Sequence, residues 1–178
     1  MPTELKYLAC LLLLVVVVVL LLPVNPWEIK DARRAQTRND LTQLVTAVRA
    51  YRSEYGKYPV TQTPGTVETD TENAALLQTL SGHDSKGNAK GIVFFDVRSE
   101  SSKNGIKSAS GALLDAWGNY YRVRFDADED GSVKNPYSGE PHQLHTDVVT
   151  WSVGKDGWQG RSGNASLLRG SDDIVSWE

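Results

Sequence analysis

WEIKDARRAQTRNDLTQLVTAVRAYRSEYGKYP, residues 27–59, is the stretch on which the fold turns. Ile29 and Ala32, and then Leu41, Leu44, Val45, Val48, Tyr51 and Tyr55, follow three-or-four spacing along one face, with charged residues between them. That is the period of a helix with one buried stripe. Gly56 suits a left-handed C-cap and Pro59 cannot continue a helix, so the helix is predicted from Trp27 to Tyr55 and closes at Gly56. Leu41, Leu44, Val48 and Tyr51 are expected to face a small antiparallel sheet, and Arg49 to face solvent. On that reading Leu44→Asp unfolds the domain and Arg49→Ala does little.

Upstream, residues 7–22 (YLACLLLLVVVVVLLL) form an unbroken apolar run, and Pro23 and Val24 extend it. Eighteen residues make about 27 Å of helix, just enough for a hydrocarbon core of about 30 Å. The run reads as one membrane-spanning helix, giving an anchor over 1–26 and a globular domain over 27–178 that includes the amphipathic helix. A cleaved signal peptide is the rival reading; Pro-Val-Asn-Pro-Trp follows the run, with no small-x-small cleavage site. Pro23 and Pro26 predict a kink between anchor and helix. Lys6 precedes the span, whereas Lys30, Arg33, Arg34 and Arg38 follow it, and positive-inside counting alone keeps the large domain in the cytoplasm.

Downstream, Thr69 and Glu72 form a capping-box pattern ahead of Ala74, Ala75, Leu76, Leu77 and Leu80, and Ser81-Gly82 ends this second, short helix. The helical period then disappears. Ile92 to Val97, Tyr120 to Phe125 and Val148 to Val153 are rich in β-branched and aromatic residues and read as short antiparallel strands. Lys86 to Lys90 and Ser99 to Ser110 read as exposed loops. Helix, helix, then strands implies an α+β domain whose long helix lies against the sheet.

Composition narrows the function. The 178 residues carry 19 Lys and Arg against 22 Asp and Glu, a net charge of -3, so there is no bulk positive field to hold nucleic acid. Cys10 is the sole cysteine, and three histidines beside it provide no zinc framework. Neither a phosphate loop nor a nucleophile elbow is present, so no enzyme is expected. His142 and His145 read as surface residues, and Trp117, Trp151 and Trp177 as core or sheet residues.

Four segments together point to a family. Leu21-Leu22-Pro23 with the charged helix, Ala50-Tyr51-Arg52 followed by Gly56-Lys57-Tyr58-Pro59, the segment Asp115-Ala116-Trp117-Gly118-Asn119-Tyr120-Tyr121, and Trp151 to Gly157 with Asp172 to Trp177 resemble the major pseudopilin of type II secretion, within the type IV pilin-like superfamily. The resemblance implies a pilin-like fold, an inner-membrane single-pass anchor with the domain periplasmic or extracellular, and a structural role. Its partners would be membrane lipid, other pseudopilin subunits, the secretion platform and further copies of itself. It also implies a calcium loop closed by a C-terminal strand, with Asp156, Asp172 and Asp173 as ligands and the Val153 and Trp158 carbonyls adding to the shell. Oxygen donors of this kind suit a hard cation. A plain Asp156-Gly157 turn, with Asp172 or Asp173 capping backbone donors, remains open beside it.

The N-terminus departs from the family. Processed pilins resemble Gly-Phe-Thr-Leu-Ile-Glu there, whereas Pro2 and Lys6 occupy the matching ends of that register, and no leader peptide is read ahead of the anchor. Reuse of the scaffold as an anchored, non-polymerising binding module is therefore the second reading. Asp126-Ala-Asp128-Glu-Asp130-Gly131 matches the opening of an EF-hand loop, but Tyr137 holds its twelfth position. A solvated turn between strands is expected there.

Overall fold

The computed structural model describes residues 26–59, 66–96, 111–137, 141–161, 163–164 and 167–177, together with residues 4, 7 and 11–14. Most of the apolar run, the proposed kink at Pro23, Cys10 and the Ser99 to Ser110 loop lie outside these residues. Among the described residues no helix is long and apolar enough to cross a membrane. The chain divides into two compact units, Met1–Ala32 and Arg33–Glu178, and the architecture below is that of the second.

Helix α1 runs from Pro26 to Tyr55. It ends where expected, with Gly56 at φ +67° donating its N–H to the Arg52 carbonyl at 2.8 Å. Leu41, Leu44, Ala47, Val48 and Tyr51 are all buried, so the apolar stripe is the packing face. The stripe begins later than its period suggests, because Ile29 and Ala32 are exposed and the first buried position is Thr37. Helix α2, Asp70–Leu80, carries the Thr69–Glu72 capping box in full and packs Leu76, Leu77 and Leu80 into the same core.

Four short strands make the main sheet: β1 (Thr66–Val67), β2 (Arg122–Phe125), β5 (Val148–Ser152) and β6 (Ile174–Val175), in the order β1-β2-β5-β6 and antiparallel throughout. A separate ribbon pairs β3 (Val133–Lys134) with β4 (Gln143–Leu144). Strand β5 is buried along its whole length, and its side chains alternate between two cores. Val148 joins the helical core with Val123, Phe125 and Ile174. Val149 and Trp151 join a second core with Val133, Tyr137, Leu144 and Val175. The sheet is therefore covered on both faces, by helices on one and by the ribbon and C-terminal loop on the other.

The expected strand Ile92 to Val97 does not form over its described residues, 92–96. Residues 92–95 are irregular, because their backbone groups are already bound: Asn88 accepts from the Ile92 N–H and donates to its carbonyl, while Phe94 and Phe95 donate to Leu80. Three of the four N–H groups are thus taken, which leaves no run of donors for a sheet neighbour. The segment still fills the core through Phe95. In the same loop Asn88 is 1% exposed, so the 86–90 stretch is only partly a surface loop.

Polar ties fix α1 over the sheet. The Tyr121 hydroxyl donates to Asp40 at 2.9 Å, and Thr150 donates to the Leu41 carbonyl at 3.2 Å. Arg49, expected to be idle in solvent, donates to Asp147 at 2.7 and 2.9 Å and to Thr146 at 3.1 Å. Burial would raise the Asp147 carboxyl, but the bonds and charge of Arg49 outweigh it and hold the group below its ordinary value.

Two variants should separate apolar from ionic contributions. Leu44→Asp loses about 1.5 to 3 kcal/mol of burial and adds the cost of an unpaired buried charge, so denaturant melts should show an unfolded domain. Arg49→Ala should cost at most about 1 kcal/mol, since the pair is half exposed. A depressed carboxyl stabilises the fold above its unfolded pKa, and that contribution is lost as pH falls through the folded value. The melting gap between wild type and Arg49→Ala should thus be open at neutral pH and close below about pH 4.

Candidate metal centre in the C-terminal loop

After β5 the chain turns out of the sheet at Gly154, whose φ is +67°. A Cβ on this residue would stand 2.5 Å from the Asp172 carbonyl oxygen, so only glycine lets the loop and the C-terminal segment meet backbone to backbone. Asp172 tightens that meeting. Its Oδ2 accepts the N–H groups of Lys155 at 2.6 Å and Asp156 at 3.1 Å. Asp156 in turn accepts the Trp158 N–H at 2.8 Å through Oδ1. The capping and turn roles left open by the sequence are both present.

Asp173 lies deeper, at 7% exposure. Its Oδ2 accepts the Tyr137 hydroxyl and the Gly160 N–H, each at 2.6 Å, while its Oδ1 is buried with no partner. Burial pushes this carboxyl above the usual carboxylate range. The Tyr137 and Gly160 bonds pull the other way, and the charges of Asp172 and Asp156 push it up again. A buried acid facing two further acids is an electrostatic deficit that a cation would offset.

One oxygen from each of Asp156, Asp172 and Asp173 lies within 4.8 Å of the others. Calcium binds oxygen at about 2.3 to 2.6 Å, which puts two ligands of one ion at most about 5 Å apart, so the spacing fits. Of the expected ligand set, the structure brings these three carboxylates together. Val153 is buried just beyond the end of β5, and Trp158 gives its N–H to Asp156 while its side chain is 66% exposed.

The supports of this loop were not legible as such in the sequence. Asn119 donates to the Gly154 carbonyl at 2.6 Å, and Asp115 holds Asn119 and Trp117 by accepting both N–H groups at 2.9 Å. Ser152 donates to the other oxygen of Asp115 and accepts the Gly154 N–H. The Asp115 to Asn119 segment is thus a clamp under the loop. Its Asp-x-Trp-Gly-Asn pattern was the available signal, read only as a family likeness.

The second acidic cluster has its buried member satisfied by its own turn. Asp126, Asp128 and Asp130 also bring oxygens within 4.8 Å, in a turn between β2 and β3. Both oxygens of Asp126 are taken, by the N–H groups of Asp130 and Gly131, and Asp130 accepts from Ser132. No buried oxygen is orphaned there, in contrast to Asp173. His142 and His145 are both exposed.

No family model, curated protein or solved structure matches this chain. The chemistry of the loop therefore rests on its own geometry.

Gly154→Ala is the sharpest test of that geometry. It combines an unfavourable backbone conformation with a clash against Asp172, so urea melts should show a loss of more than about 1 kcal/mol. Gly131→Ala meets no atom within 4 Å and should lose only the conformational part.

Proposed function

We propose that this chain is a membrane-anchored, pseudopilin-like structural subunit of a type II secretion or type IV pilus-like assembly, with a calcium ion stabilising its C-terminal loop. The single observation that carries the calcium part is the buried, unpartnered Oδ1 of Asp173 beside Asp156 and Asp172. The ion would supply charge compensation to three clustered acids and tie the loop after β5 to strand β6. A structural role is supported by the long helix on a small antiparallel sheet and by the apolar run at residues 7–24. In this reading the run lies in the inner membrane, the domain stands on the periplasmic or outer side, and neighbouring subunits pack through their helices.

A non-polymerising anchored module is the second reading, favoured by the Pro2 to Lys6 sequence where processed pilins carry their cleavage motif.

Calcium should raise the melting temperature of the full-length protein in detergent, and a chelator should reverse the rise. At a hundredfold excess over Kd the stabilisation is about 2.7 kcal/mol. Asp156→Ala, whose carboxylate is exposed, should abolish the response with little effect on the metal-free fold, whereas Asp128→Ala should leave it intact. No shift in wild type would reject the ion. For the assembly part, the protein should resist alkaline carbonate extraction, and amine crosslinking in membranes should give a ladder; monomers only would leave the non-polymerising module.

A further inference from the structure

Arg34 and Arg38 lie one turn apart on α1, and Arg169 comes from the C-terminal loop; all three border one cleft of about 420 Å³ with Leu168, Gly170, Ser171 and Asp173. None of the three guanidiniums has an ion pair or hydrogen-bond partner among the described residues. Asp173 borders the same cleft, so one acid faces three cations, and a further carboxylate entering would relieve the repulsion that remains. Guanidinium forks bind carboxylates in paired geometry, which gives such a contact direction as well as strength.

The complementary surface is on the same chain, at the far end of the domain. Asp126, Asp128, Glu129 and Asp130 crowd the turn after β2, where Arg52 pairs with Glu129 and Arg124 and Lys134 line the pocket beside Asp128 and Asp130. Asp128 and Asp130 are exposed, and Asp128 has no partner among the described residues. The Arg52–Glu129 ion pair sets this turn beside the C-terminal end of α1. Arg38 lies fourteen residues earlier on the same helix, about 21 Å away along its axis. The arginine cleft and the acidic turn are therefore set well apart along α1.

We propose that the arginine cleft docks the acidic turn of a second copy of this chain, with Arg34, Arg38 and Arg169 receiving Asp128 and Asp130. The inference rests on the assembly reading and names its contact surfaces. Because the two surfaces differ and lie at opposite ends, the contact is head to tail and leaves a free cleft and a free turn on every pair. Such a contact repeats rather than closing as a twofold dimer. A cleft built of Arg side chains also makes the association salt-sensitive.

The test uses the full chain in detergent, with crosslinking ladders and sedimentation. Arg38→Gln with Arg169→Gln removes two of the cleft's three positive charges, and Asp128→Asn with Asp130→Asn removes the two carboxylates of the turn proposed to dock; circular dichroism melts check that both variants fold. Each variant alone should associate about tenfold more weakly than wild type. Mixed together they should form pairs and stop there, since one supplies the only intact turn and the other the only intact cleft. Raising salt from about 50 to 500 mM should weaken the wild-type ladder. Wild-type ladders from either variant alone, or chains longer than pairs in the mixture, would overturn this contact and leave assembly by other surfaces standing. Absence of any wild-type ladder would overturn both the contact and the assembly reading.

Discussion

Strand β5 has water on neither face, and the rest of the domain is arranged to keep it so. Val148 and Thr150 point to α1, while Val149 and Trp151 point to the ribbon and C-terminal loop. A strand covered on one side only would expose Trp151, the largest fully buried side chain, or strip α1 of its partner. The pleat alternates strictly, so a register slip of one residue would exchange the two sets and fail on both sides. Antiparallel neighbours β2 and β6 hold that register from either edge.

The loop chemistry follows from that strand. Ser152 is its last residue and binds Asp115, which draws the 115–119 clamp beneath Gly154. β6 lies beside β5 and so carries Asp172 and Asp173 back toward the same turn. Three acids thus gather because strand pairing brings them there. Asp173 bears the cost, with one oxygen well bonded and the other bonded to nothing. The acidic turn after β2 is the useful contrast: there the backbone takes both oxygens of the buried Asp126, and the unpartnered Asp128 is exposed.

Periodicity carried the reading as far as the helices and the two longest strands. Leu41 to Tyr51 repeat often enough for one face to be unmistakable, and the Thr69–Glu72 box is local in sequence and local in structure. The two-residue strands β1, β3 and β4 have no period to detect; they exist because a neighbour supplies a ladder. Residues 92–95 form no strand for the converse reason, since strand-like composition says nothing about Asn88 and Leu80 binding their backbone. Arg49 is exposed as expected, but its bond to Asp147 spans 98 residues and has no local signal. Among the site residues, the three aspartates were legible as a group through family likeness, but Tyr137 was noticed only for not being glutamate. Its hydroxyl bond to Asp173 spans 36 residues, beyond any local pattern.

Thr150 bonds to Leu41 across 109 positions, and β5 is paired on one side by residues 174 and 175. The order of synthesis therefore runs against the order of packing. α1 emerges first with an exposed apolar stripe, and that stripe has no complete partner until nearly the whole chain has been made. Contacts of such long range are slow to form and leave sticky surface in the meantime. A newborn chain of this design needs its helix shielded from other chains during that interval.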